Sequence, residues 1–169
     1  MGLFSFIKNA GTKVFGIGNT TEEEATAARG KASIKAEVIE LRLEGAAARN
    51  MEETINDLQL KVENLNVFVD DDMVKVSGLA YDQATKEKVI LVIGNTAGVS
   101  IVDDQMTVDY KEPEAQFHTV VSGDTLGEIA KHYYGDTMKY PEIFEANKPM
   151  LTNPDKIYVG QVLRIPNLD

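Results

Sequence analysis

At 169 residues, with 43% hydrophobic and 26% charged side chains, the chain has the composition of folded globular protein and room for one or two small domains. Its formal net charge of −10 argues against sequence-independent binding to nucleic acid, because affinity for phosphate rests on clustered Lys and Arg. Cysteine is absent, which excludes disulfides and thiolate chemistry, and no run reaches the ~18–20 apolar residues of a membrane span.

The opening, MGLFSFIKNAGTKVFGIG, lacks the basic lead and long apolar core of a secretory signal, and Phe6 breaks the myristoylation pattern, so a cytoplasmic protein is expected. Leu3, Phe4, Ile7, Ala10, Gly11 and Val14 fall at helical spacing, which predicts an amphipathic helix within residues 1–19 ending near Gly16 or Gly18. A membrane-surface anchor would call for more cations than Lys8 and Lys13 supply, so this apolar stripe is expected to dock on the following domain. Residues 20–61 are rich in Ala and Glu and read as helix. Ile34, Val38 and Leu41 mark one face, Met51, Ile55, Leu58 and Val62 another, with Gly45 and Asn50 as punctuation. The first 116 residues hold 20 acidic against 12 basic side chains. That excess aids solubility and creates a field that draws cations.

From Leu65 the period becomes two. Asn66–Val69 and Met73–Val76 flank Asp70-Asp71-Asp72, a hairpin whose turn lacks the glycine and distant glutamate of a calcium loop. Asp82 is placed to cap a helix through Ile93, with Ala84, Val89, Ile90 and Ile93 inward and a break at Gly94–Gly98. Ile101, Val102 and Met106–Val108 supply a strand, and residues 112–116 a polar, proline-containing linker.

The last fifty residues are the most readable. A β-branched run at His118–Val121 precedes a turn at Ser122-Gly123-Asp124. Thr125-Leu126-Gly127-Glu128 fits a capping box for a helix that Gly135 stops. Pro141 suits the first turn of a second helix, and Val162–Ile165 closes a βααβ unit. His118 and His132 have structural places on a strand and a helix, and no Ser-His-Asp order, metal-binding histidine pair or phosphate loop can be assembled. Glu128, Glu142 and Glu145 read as caps and solvated faces rather than a carboxylate pair for glycoside hydrolysis. An enzyme is not expected.

SGDTL at Ser122–Leu126, FEANK at Phe144–Lys148, PDKIYVGQ at Pro154–Gln161 and the closing LRIP resemble a LysM domain over residues 117–169. That resemblance implies binding of N-acetylglucosamine polymers such as peptidoglycan or chitin, in a groove lined by Gly123, Asp124, Thr125, Leu126 and Ile157. VKVSGLA at Val74–Ala80 and GNTAGVSIVDDQM at Gly94–Met106 resemble a BON domain, placed at 20–111. The pairing, with the MGLFSFIKNAG opening, resembles the bacterial potassium-binding Kbp family, except over roughly 20–60 where this chain is longer. The fold class implied is α+β: helices on a small sheet, then a βααβ module.

The resemblance implies a cytoplasmic K+ sensor, a monomer in which the ion orders BON and LysM. K+ suits neutral carbonyl oxygens, and helix C-termini leave carbonyls free at a partially negative pole. If the N-terminal helix docks beside the Gly94–Val99 loop, two such ends converge. The expected ligands are then the backbone carbonyls of Ile7, Ala10 and Thr12 and those of Gly94, Thr96 and Val99. Gly94 and Gly98 are expected to supply the unusual dihedrals of the loop. The runner-up function is a cell-envelope module that binds peptidoglycan through LysM.

Overall fold

The structure, a computed structural model, describes residues 2–6 and 28–168. Two sheets and their helices give the expected α+β architecture. The larger sheet has the order β1-β4-β3-β2, with β1 at Gly2–Ser5, β2 at Val62–Asp70, β3 at Met73–Asp82 and β4 at Ile101–Tyr110. Strands β3 and β4 run parallel, so the chain must cross over between them, and it does so through α2 at Gln83–Gly94. The long helix α1, Ala28–Asp57, packs against β2 and α2.

The N-terminus departs from its expected form. Residues 2–5 are a strand paired antiparallel with β4, Leu3 opposite Asp103 and Phe4 opposite Val102, rather than the start of a helix. The physical reason is a choice between two periods. As a strand, Phe4 and Phe6 share one face and pack against the core while Leu3 points to solvent, and β4 gains a partner for its otherwise open edge. Ile7, Ala10 and Thr12 lie outside the described residues.

Helix α1 also departs from the expected two segments, running unbroken through Gly45 and Asn50. A glycine costs a helix only about 1 kcal/mol. Burial of Ala48, Met51 and Ile55 against the sheet outweighs it. Val62 belongs to β2, not to this helix, because the helix ends in a Schellman motif. Gln59 takes a left-handed φ of 57°, its N–H bonds Asn56 O at 2.9 Å, and Leu60 N bonds Ile55 O at 3.1 Å. Upstream of the sheet, Val38, Ile39, Leu41 and Leu43 are exposed.

Local rules hold well elsewhere. Asp82 caps α2 by accepting from Thr85 N at 2.7 Å. In the second unit, β5 (Gln116–Thr119) pairs antiparallel with β6 (Val162–Ile165). Over this pair lie α3 (Leu126–Tyr134) and α4 (Tyr140–Ala146), with a 3-10 turn at Thr137–Lys139 between them. Thr125 caps α3 by accepting from Glu128 N at 3.1 Å, and Gly135 ends it at φ 75°. Only the threonine half of the expected capping box forms: Glu128 Oε2 lies 3.5 Å from Thr125 Oγ1. Pro141 starts α4. The buried Asn147 ends that helix by donating to Ile143 O and Arg164 O, both at 2.7 Å, and by accepting from Arg164 N at 2.8 Å.

Candidate functional site

Helix α2 lies between the two units. One face carries Val89, Ile90 and Ile93 onto the large sheet. Gln83, Glu87, Leu91 and Asn95 follow at every fourth position and form a second face. Leu91 is buried yet belongs to neither hydrophobic core. Glu87 is the hub of that face: it accepts from Gln83 Nε2 at 2.9 Å, from Ala115 N in the linker at 2.9 Å and from Arg164 Nε on β6 at 2.6 Å. A buried carboxylate needs such partners, since an unpaired charge there is costly. The Lys88 ammonium beside it titrates below its usual range, chiefly through burial and then through the charge of Arg164. The rings of Phe4 and Phe117 meet edge to face, 5.6 Å between centroids, and add an apolar contact between β1 and β5.

At its C-terminus α2 opens into the loop 94–100. Asn95 N bonds Leu91 O at 2.9 Å, and Thr96 N bonds Ile93 O at 3.0 Å. Thr96 O accepts from Val99 N at 3.2 Å, so one of its lone pairs is used inside the loop. Among the described residues, the carbonyls of Gly94 and Val99 take part in no hydrogen bond of this loop. Carbonyls at a helix C-terminus lie at its partially negative pole.

The two glycines differ in role from each other. Gly98 has φ 95° and needs the left-handed region. Gly94 does not; a Cβ there would lie 1.9 Å from Phe6 Cζ, so it is the ring of Phe6 that excludes a side chain. The expectation that Gly94 supplies an unusual dihedral is therefore corrected. Phe6 N also donates to Ser100 O at 2.7 Å, which extends β1 as far as the loop. Thus β1 carries the chain to the 94–100 loop.

The second candidate site is a groove of about 360 Å³ on the LysM-like unit, lined by Asp124, Thr125, Leu126, Tyr140, Asp155 and Ile157 among others. Four of the five expected glycan residues meet there; Gly123 is adjacent, exposed, with φ 97°. His118 Nε2 lies 2.8 Å from Asp124 Oδ2, and that contact, reinforced by Val121 N, holds the Asp124 carboxyl below the ordinary carboxylate range. Glu40 and Glu44 on α1 and Asp71 of the β2–β3 turn form an acidic trio in which Glu44 is half-buried, and Asp71 N donates to Glu44 Oε1 at 3.2 Å. Among the described residues no helix is long and apolar enough to cross a membrane.

Asn95 and Glu87 were not singled out by sequence reasoning as functional. The signal available was the four-residue spacing of polar positions on a helix already assigned an apolar face, and nothing local says what those positions meet.

Comparison with known proteins bears on both units. The BON domain family matches residues 44–110 and the LysM domain family residues 118–166. The chain is 38% identical over 167 residues to the "Potassium binding protein Kbp" of Escherichia coli O6:H1, covering 98% of this chain and 99% of that protein. An uncharacterized protein of Deinococcus radiodurans is 53% identical over 49 residues, 19% of its length. A mycobacterial esterase, Rv1288, is 45% identical over 53 residues, 11% of its length, too small a share to carry an enzymatic activity across.

Proposed function

Because the chain belongs to the Kbp family, we propose that it binds K+ and senses its concentration, holding the ion on backbone carbonyls. The observation that supports this most is the end-to-end likeness to the E. coli potassium-binding protein. The carbonyls of Gly94 and Val99, which take part in no bond of the 94–100 loop among the described residues, add a chemical reason. Neutral oxygens at the negative pole of α2 favour a large monovalent cation, while the net charge of −10 raises its local concentration. On this reading Ile7, Ala10 and Thr12 contribute the remaining carbonyls, and Thr96 contributes its second lone pair. Binding orders BON against LysM, and the protein works in the cytoplasm as a monomer. On this reading the ion is cargo and no catalysis is called for.

Calorimetry of the full chain with KCl against NaCl tests the reading. A ligand that binds only the folded form stabilises it by about 2.7 kcal/mol at a hundredfold excess over Kd. Melting temperature is therefore expected to rise more with KCl than with NaCl at equal ionic strength. Equal rises would reduce the effect to charge screening and end the proposal.

A second reading, peptidoglycan or chitin-type glycan binding through LysM, is supported by the open groove at Asp124–Leu126 and Ile157. None of the groove's lining residues takes part in the hydrogen bonds between the two units, so this site stays open when they are docked. Cytoplasmic residence would make glycan binding weak or vestigial. Chemical-shift mapping with chitin oligomers decides it, with tight saturable shifts at these residues as the contrary result.

A further inference from the structure

Asn95, Thr96 and Ser100 are the polar side chains of the loop 94–100, and the first two are already bonded. Asn95 turns its amide to the LysM unit, where Nδ2 donates to Val162 O at 2.9 Å and Oδ1 accepts from Val162 N at 2.8 Å. Thr96 Oγ1 donates back to Val92 O at 2.9 Å. Ser100 differs. Among the described residues, its Oγ is the one buried side-chain oxygen or nitrogen without a hydrogen-bond partner. A hydroxyl can donate once and accept twice, and burying it with none of those bonds made costs stability. Native proteins keep few such groups, and each calls for an explanation such as a bound ion.

The main chain of Ser100 is fixed on both sides. Its N–H donates to Asp72 O of the β2–β3 turn at 2.7 Å, and its carbonyl accepts from Phe6 N at 2.7 Å. Phe4 stands opposite Val102 and Ser5 opposite Ile101, so the same register sets Phe6 opposite Ser100. Residues opposed in an antiparallel pair share a face of the sheet. Ser100 therefore lies on the face of Phe6, whose ring fills the space beside Gly94 at the end of α2. The Val99 carbonyl shares a planar peptide with the Ser100 N–H and points the opposite way, away from the turn. The hydroxyl thus follows directly after Val99 O, on the side of the sheet where α2 ends.

Resting on the K+ reading above, we infer that Ser100 Oγ is a side-chain ligand of the ion, beside the main-chain carbonyls already named. A hydroxyl oxygen is neutral, as the carbonyls that suit this large, weakly charged cation are. The ion takes up a lone pair that the protein leaves unbonded, so binding removes a cost that the fold carries without it.

The test measures K+ affinity by calorimetry, and urea midpoints in KCl and in choline chloride at equal ionic strength, for the full-length chain and two variants. Ser100→Ala removes the oxygen and is expected to weaken K+ binding about tenfold, on the scale of a hydrogen bond to a charged group. In choline chloride this variant should match or exceed the unaltered chain in stability, because it buries no unpaired hydroxyl, and in KCl it should fall below it. A hydroxyl that served the fold alone would lower both midpoints together. Ser100→Cys keeps the shape and offers soft sulfur in place of hard oxygen, so its affinity should fall as that of Ser100→Ala does. Unchanged K+ affinity in either variant overturns the inference. So does a lower midpoint for Ser100→Ala in choline chloride, which would give the hydroxyl a partner without the ion. Both results leave the K+ reading standing while the unaltered chain prefers K+ to Na+. If it shows no such preference, the K+ reading falls and this ligand with it.

Discussion

Glu87 and Arg164 stand 77 residues apart in the chain and meet at 2.6 Å, their side chains 3% and 11% exposed. Burying two charges costs solvation, which only good geometry and further hydrogen bonds repay. Glu87 has those further bonds, from Gln83 and Ala115, so the pair joins helix, linker and terminal strand at one point. Removing one partner leaves the other buried and unpaired. Arg164→Met is accordingly expected to cost about 3–5 kcal/mol. Adding Glu87→Gln, which can still accept from Ala115 N, should recover part of the loss. Urea unfolding of the single and double variants checks this, and equal stability of the two would count against it.

Gly94 should tolerate no side chain for a steric reason. The added Cβ of Gly94→Ala would fall 1.9 Å from the Phe6 ring, so the ring must leave its place. Overpacking of this kind costs about 1–3 kcal/mol. Combining the change with Phe6→Ala removes the obstruction, and the two costs should then fall short of additive in a double-mutant cycle. Full additivity would mean that Phe6 does not occupy this contact.

Thr96→Val is expected to leave K+ affinity within about threefold of the parent, because the proposed ligand is a main-chain carbonyl. The hydroxyl bonds Val92 O at 2.9 Å in an exposed turn, so stability should fall by no more than about 1 kcal/mol. Calorimetry and thermal melting of the variant measure both. A large loss of affinity would assign the oxygen to the side chain.

Asp124 predicts a pH dependence confined to the acid side. The hydrogen bond with His118, and after it that from Val121 N, holds the carboxyl below the ordinary value of 3.8 in the folded state. The unfolded chain therefore binds the proton more readily, and stability rises with pH between the two values. The contribution is complete above 3.8 and fades as pH falls through the lower, folded-state value. In Asp124→Asn the urea midpoint should change less steeply across the acid limb. An unchanged slope would dissociate this carboxylate from folding.

Asn147 and Asn95 perform the same bonding on neighbouring positions of β6, with different expected consequences. Asn147 is 1% exposed inside LysM, and Asn147→Ala orphans both main-chain groups of Arg164. At about 1–3 kcal/mol for each unsatisfied buried group, the loss should be on the order of 3 kcal/mol and should unfold LysM first. Asn95→Ala opens a half-buried contact between units and should spare both cores. Domain-resolved amide exchange separates the two.

What the chain determined by itself was local. Asp82 and Thr125 as caps, Gly135 as a stop, Pro141 as a start and the alternating runs of β2 and β3 act on neighbours within a few residues, so their physics is present in the sequence. The break of α2 at Gly94 and the turn before the Thr125 cap were legible for the same reason, whereas the ion and glycan sites placed there came from the family resemblance. Distant partners decided the rest. Residues 2–5 could serve two periods, and only the open edge of β4 selects the strand. Gly45 reads as a break until Met51 and Ile55 are buried on a sheet formed later in the chain. The contact of Asn95 with β6 leaves no sign in the sequence, because the groups it bonds lie 67 residues away and belong to the main chain of Val162, where residue type leaves no mark.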